Sequence, residues 1–293
     1  MADVHNIDRV TTQRIATKIG PGSKEGKQSP SSPIGIFDSG VGGLTVFREL
    51  QRQLPNEDII YIADTARVPY GGRSPQEIIK INHQIINYLI KQGVKLIIMA
   101  CGTSSAIAYP VVKDEYKTGI ISLIGPGSRA AIQASRNGYV GVIATVGTIE
   151  SEAYQKRIVE LHSDAEVTAV ATPLLVPLVE GGFIDADETR RVLKEYLAPI
   201  IEKGCDTLIL GCTHYPHLAK LIKAVVGPGI TLVDPAIRAV EETKKLLTKR
   251  SLLKDNSKPA KYTFLVTGSV VQFQDLGSKL MGKPIIGAKQ VRL

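Results

Sequence analysis

The chain has no tryptophan, and aromatic residues make up only 5% of its 293 positions. That leaves few flat side chains on which nucleobases stack. Three cysteines are too few for a disulfide framework and fit a reducing compartment, so a cytoplasmic location is expected. No apolar run approaches the ~20 residues that cross a bilayer. The N-terminus also lacks the continuous apolar core of a secretory signal. Together these absences point away from membrane and secreted classes.

What is present suits a globular protein of one large or two ordinary domains, with 43% hydrophobic residues over 293 positions. The net charge of +8 would favour nucleic acid if it were concentrated. Its basic residues are instead dispersed, as in "EETKKLLTKRSLLK", which reads as a solvated helix face. No nucleic-acid partner is expected.

Residues 1–32, ending "GPGSKEGKQSPSSP", are rich in Gly, Ser, Pro and Lys and read as a disordered leader. From "PIGIFD" onward, strands alternate with helices. The segment "SPQEIIKINHQIINYLIKQG" carries capping-box spacing at Ser74 and Glu77, Pro75 in its first turn, and Gly93 at its end. A continuous apolar strand follows and stops at Cys101. Unbroken apolar runs suit strands covered by helices on both faces.

The second half repeats the first. "GYVGVIATVGTIES" echoes "PIGIFDSGVGGLTV", and "DTLILG" stops at Cys212, eight positions past Gly204 as Cys101 is eight past Gly93. Asp38 precedes Cys101 by 63 positions, and Thr145 precedes Cys212 by 67. The expected fold is α/β: two similar open domains with mainly parallel sheets, pseudo-symmetric, facing each other across a cleft. Residues 33–125 plus 233–293 form the first, and residues 126–232 the second.

In open α/β sheets, functional groups gather at the carboxyl ends of strands, where Asp38, Asp64, Cys101 and Cys212 all fall. A thiol on each side of one carbon atom is what a two-base proton transfer needs. The thiolate is the active base, so its pKa must be lowered or assisted by neighbours. A helix N-terminus after each strand would do so, and Asp38 and His214 are nearby groups able to relay a proton. Cys205 opens its strand and reads as core packing, and His83 and His217 as packing or surface residues. Cys212 and His214 have half the spacing of a zinc site, but no second Cys/His pair accompanies them, and no metal is expected. "GVGG" lacks the full phosphate-loop and dinucleotide patterns.

Five ordered blocks, "GIFDSGVGGLTV", "ADTARVPYG", "ACGTSSA", "VPLVE" and "LGCTHYPHL", resemble the glutamate racemases of the cofactor-independent Asp/Glu racemase superfamily, over roughly residues 33–275. The resemblance implies interconversion of L- and D-glutamate without pyridoxal phosphate, metal or nucleotide. It also implies D-glutamate for peptidoglycan precursors, and a homodimer. It assigns Cys101 and Cys212 as the acid/base thiols, assisted by Asp38 and His214. Ser39, Tyr70, Gly71, Thr103 and Thr213 match positions that bind the amino acid, and Glu180 a further carboxylate near the site. One position departs: the family usually has asparagine after the first thiol, and this chain has Gly102. That leaves the backbone N–H of Gly102, with Ser104 or water, to fill the gap. Racemisation of aspartate or a hydantoin, and amino-acid binding without turnover, are the competing readings.

Overall fold

The structure, a computed structural model, describes residues 28–255 and 259–293. Ten strands run in chain order: β1 Ile34–Asp38, β2 Ile59–Ala63, β3 Leu96–Met99, β4 Gly119–Ile121, β5 Tyr139–Ala144, β6 Glu166–Ala171, β7 Thr207–Leu210, β8 Thr231–Val233, β9 Tyr262–Val266 and β10 Lys289–Gln290. They form two sheets, ordered β10-β9-β2-β1-β3-β4 and β6-β5-β7-β8, and every strand pairing is parallel. The α/β class and parallel sheets expected from the sequence are what the chain adopts. β1, β3 and β7 are buried at every position, as unbroken apolar runs between helix layers require.

The local signals act as their chemistry dictates. Ser74 Oγ accepts from the Glu77 N–H at 3.3 Å, and Glu77 Oε2 accepts from the Ser74 N–H at 3.2 Å. This closes a capping box on the helix Pro75–Lys91. Gly93 and Gly204 both have positive φ, 75° and 69°, and turn the chain out of a helix into the strand that carries a thiol.

Four strands of each sheet follow one order, β2-β1-β3-β4 and β6-β5-β7-β8, and the registers align the copies residue by residue. Phe37 pairs Met99 as Ile143 pairs Leu210, and Asp38 pairs Ala63 as Ala144 pairs Ala171. Cys101 and Cys212 are therefore equivalent. The spacing had set Thr145 against Asp38; the register sets Ala144 there and Thr145 against Ser39. The slip of one residue arises because the linking segments differ in length, and only the hydrogen-bond ladder fixes the frame.

The chain crosses between sheets twice, between β4 and β5 and between β8 and β9. The helices Ile124–Ala134 and Pro235–Lys249 sit at these crossings and pack against each other. Of the leader, residues 1–27 lie outside the described residues. Residues 28–32, read as disordered from composition, instead form a turn held to the body. Gln28 Nε2 donates to Thr118 Oγ1 at 3.1 Å, and the Pro30 carbonyl accepts from Lys95 Nζ at 2.7 Å. A buried ammonium needs such acceptors, and this one fixes the turn. Among the described residues, no helix is long and apolar enough to cross a membrane.

Candidate active site

The carboxyl ends of β1, β3, β5 and β7 converge on a cavity of about 630 Å³. In each sheet this is the point where the chain, having built outward on one side of its first strand, returns to the other, the usual place for an α/β ligand crevice. Asp38, Ser39, Tyr70, Gly71, Cys101, Gly102, Thr103, Glu180, Cys212, Thr213 and His214 all line it. The residues that the resemblance assigns to catalysis and binding are thus brought together. Val68, Pro69, Val146, Pro173, Val176 and Pro177 supply apolar walls.

Cys101 is the N-cap of the short helix Gly102–Ile107. A lowered thiol pKa is expected there from the helix end, yet the thiol is pushed up to about 12. Burial is the main cause, followed by the negative charge of Asp38; hydrogen bonds from Ser104 only partly offset them. Ser104 itself is buried, accepts from Asn82 Nδ2 at 3.1 Å, and does not line the cavity. It serves the sulfur and does not replace the missing asparagine side chain.

Cys212 has a different setting. No α-helix starts directly after it; a 3₁₀ turn, Tyr215–Leu218, begins three residues on. His214 supplies the assistance instead. Its Nδ1 lies 3.7 Å from the Cys212 sulfur, and its Nε2 lies 3.0 Å from Glu180 Oε1. Burial alone would lower the imidazole pKa. The hydrogen bonds to Cys212 and Glu180, with the charges of Cys212 and Asp38, prevail and raise it from 6.5 to about 10. The two sulfurs therefore have unlike surroundings: a thiol held protonated by burial and Asp38 at Cys101, and a sulfur in contact with the imidazole of His214 at Cys212.

Asp38 is buried and its carboxyl pKa is raised, chiefly by burial, against the opposing pull of His214 and of backbone N–H groups. Its Oδ2 accepts from the Gly43 and Gly40 N–H groups at 2.8 and 3.3 Å, so it also anchors the glycine turn. Tyr70 is held by its hydroxyl, which donates to Asp64 Oδ2. Asp64 in turn accepts from Arg67 Nε at 2.7 Å and Thr267 Oγ1 at 2.8 Å. Asp64 stands at a strand end but faces this network, outside the cavity lining. Cys205, His83 and His217 lie outside the cavity; His83 Nδ1 pairs with the Tyr116 hydroxyl at 2.7 Å.

Two threonines that line the cavity were not among the site residues read from the sequence. Thr145 Oγ1 lies 3.0 Å from both Thr103 Oγ1 and Thr148 Oγ1, and Thr172 Oγ1 donates to the Ala144 carbonyl at 3.1 Å. The internal repeat held the signal. Thr145 and Thr172 stand where Ser39 and Asp64 stand in the first copy, and the backbone bonds Asp64 N–H to Asp38 O and Thr172 N–H to Ala144 O, both 2.9 Å, fix that equivalence.

Two parallel-sheet halves place one thiol each at a shared cavity, the arrangement that a proton transfer between two bases needs. The Asp/Glu/Hydantoin racemase family matches residues 34–243. A glutamate racemase of Gloeothece citriformis is 45% identical over 260 residues, covering 87% of this chain and 91% of that protein. A glutamate racemase isoform from Bacillus anthracis superposes with a TM-score of 0.86 at 38% identity, over 89% of this chain and 98% of its own. The glutamate racemase of Francisella tularensis, solved in complex with D-glutamate, gives 0.84 at 37% identity, over 90% and 98%. The chain belongs to the Asp/Glu/Hydantoin racemase family, and it is an isomerase, an amino-acid racemase.

Proposed function

We propose that this protein is a glutamate racemase that inverts its substrate with two cysteines. The observation that carries the reading is the pair of thiols lining one cavity, each at the equivalent strand end of its own sheet. In one direction Cys212, as thiolate beside the imidazolium of His214, removes the α-proton. The C–H bond breaks and its electron pair spreads into the substrate carboxylate. Cys101 then delivers its S–H proton to the opposite face, forming the new C–H bond and leaving a thiolate. In the other direction the two sulfurs exchange roles, with Asp38 close to Cys101 to assist. Positioning by fixed groups converts these transfers into near-unimolecular steps.

Ser39, Tyr70, Gly71, Gly102, Thr103, Thr213 and His214 bind the amino and carboxylate groups in this reading, and Glu180 fixes the imidazole. Glutamate as the substrate is supported by the names of the relatives. The two domains comprise residues 33–125 plus 233–293 and residues 126–232, a division supported by the two sheets. The product serves peptidoglycan precursors, and the working form is a cytoplasmic homodimer, as the family resemblance implies.

Purified protein, treated with a chelator and given L-glutamate, is expected to form D-glutamate; Cys101→Ala and Cys212→Ala are each expected to abolish it. An active Cys101→Ala or Cys212→Ala protein would refute the two-thiol reading. Turnover of aspartate or a hydantoin, but not glutamate, would replace the substrate and keep the class.

A further inference from the structure

Three glycines carry contacts by which the two halves meet around the cavity. A Cβ on Gly42 would fall 2.5 Å from Thr213 Oγ1, and at the same place Thr45 Oγ1 donates to the Thr213 carbonyl at 3.1 Å. The Gly147 N–H donates to the Gly71 carbonyl at 3.2 Å, and a Cβ on Gly147 would lie 3.1 Å from that oxygen. The tightest contact with backbone is at Gly102, where a Cβ would lie 2.5 Å from the Gly211 carbonyl oxygen. That oxygen belongs to the backbone and cannot rotate away.

Gly102 directly follows Cys101, and Gly211 directly precedes Cys212. The contact therefore sits one peptide from each residue that bears a catalytic sulfur. We propose that the Gly102–Gly211 contact, with the Gly71–Gly147 contact beside it, is the stop that sets the separation of Cys101 and Cys212. Gly102 is thereby a positioning residue. The proposal rests on the two-thiol reading given above. Its physical basis is the hardness of packed atoms: repulsion rises steeply below contact distance, so two halves joined by two crossings close until backbone meets backbone. The missing side chain at Gly102 makes that stop a close one. A methyl group there must displace the Gly211 backbone, and in this proposal the halves, and with them the sulfurs, move apart.

Cleaving the α C–H bond needs one sulfur, whereas inversion needs both. Enlarging position 102 separates these events. L-Glutamate is incubated in deuterium oxide with the wild type, Gly102→Ala and Gly147→Ala, following D-glutamate formation and deuterium in the recovered L-glutamate. In Gly102→Ala, racemisation is expected to fall on the order of 10²-fold. KM changes little, and the ratio of exchange without inversion to inversion rises. Gly147→Ala is expected to show the same signature more weakly, and it decides the matter if Gly102→Ala does not fold. A short bifunctional alkylating reagent that bridges the two thiols in the wild type is expected to bridge fewer in these variants. An unchanged ratio in a folded variant, or equal loss of exchange and inversion, would overturn the proposal. If the wild type does not racemise glutamate, the substrate assignment falls, and the cross-linking comparison alone decides the contact: equal bridging overturns it, reduced bridging supports it.

Discussion

Nδ1 of His214 lies 3.7 Å from the sulfur of Cys212, while the sulfur of Cys101 stands beside a carboxylate, Asp38, whose charge raises its pKa. The two sulfurs therefore sit beside opposite charge, an imidazole of raised pKa on one side and a carboxylate on the other.

Glu180 holds the outer nitrogen of His214 and is one of the groups that raise its pKa. A hydrogen bond to a charged group contributes about 1.5–3 kcal/mol, and Glu180 is a third exposed, which places its effect at the low end. Glu180→Gln is expected to lower the imidazole pKa by about one unit. Titration of the His214 ring signals by NMR measures it; an unchanged midpoint would remove Glu180 from this role.

The same histidine links stability to pH. Its folded pKa is raised from 6.5 to about 10, so the stabilisation is complete below pH 6.5 and is lost as pH rises through about 10. Between these limits the wild type is expected to lose stability faster than His214→Asn. Urea denaturation across that range tests the sign.

Burial, then the charge of Asp38, keeps the Cys101 thiol protonated. Asp38→Asn removes the second cause. In a Cys212→Ala background, the pH midpoint for alkylation of Cys101 is expected to fall in Asp38→Asn. A midpoint that stays or rises would contradict the electrostatic account.

Lys95 and Glu57 form a buried ion pair at 2.5 Å, and Lys95 Nζ also donates to the carbonyls of Pro30 and Leu252 at 2.7 and 2.8 Å. Lys95 precedes β3, at the opposite end of that strand from Cys101. Lys95→Met leaves a buried carboxylate without its counter-charge and is expected to destabilise by about 3–5 kcal/mol. Turnover per folded molecule should be unchanged. Denaturation and active-site titration on one preparation separate the two.

Much of this was legible in the sequence because it is local. The glycine ending a helix, the capping box and the unbroken apolar run are each fixed by neighbours within a few positions, and they sufficed to align Cys101 with Cys212. Thr145 was misaligned by one residue because loop lengths differ between the copies. It was also missed as a lining residue, with Thr172, because a threonine after a strand looks like any helix cap. Ser104 was offered, with water, as filling the gap at Gly102, but it is held by Asn82, across a helix contact that the sequence pattern does not encode. Least legible was Gly102. Its partner is a carbonyl in the other half, and nothing in the pattern around a glycine names the atom that excludes its side chain.

The central claim is that two sulfurs act on opposite faces of one carbon. It is tested most directly by early time points of L-glutamate turnover in deuterium oxide with the wild type. With two bases, the D-glutamate formed carries deuterium at the α position while the remaining L-glutamate carries almost none. Deuterium appearing equally in both enantiomers from the start would mean a single base serving both faces, and would contradict the account.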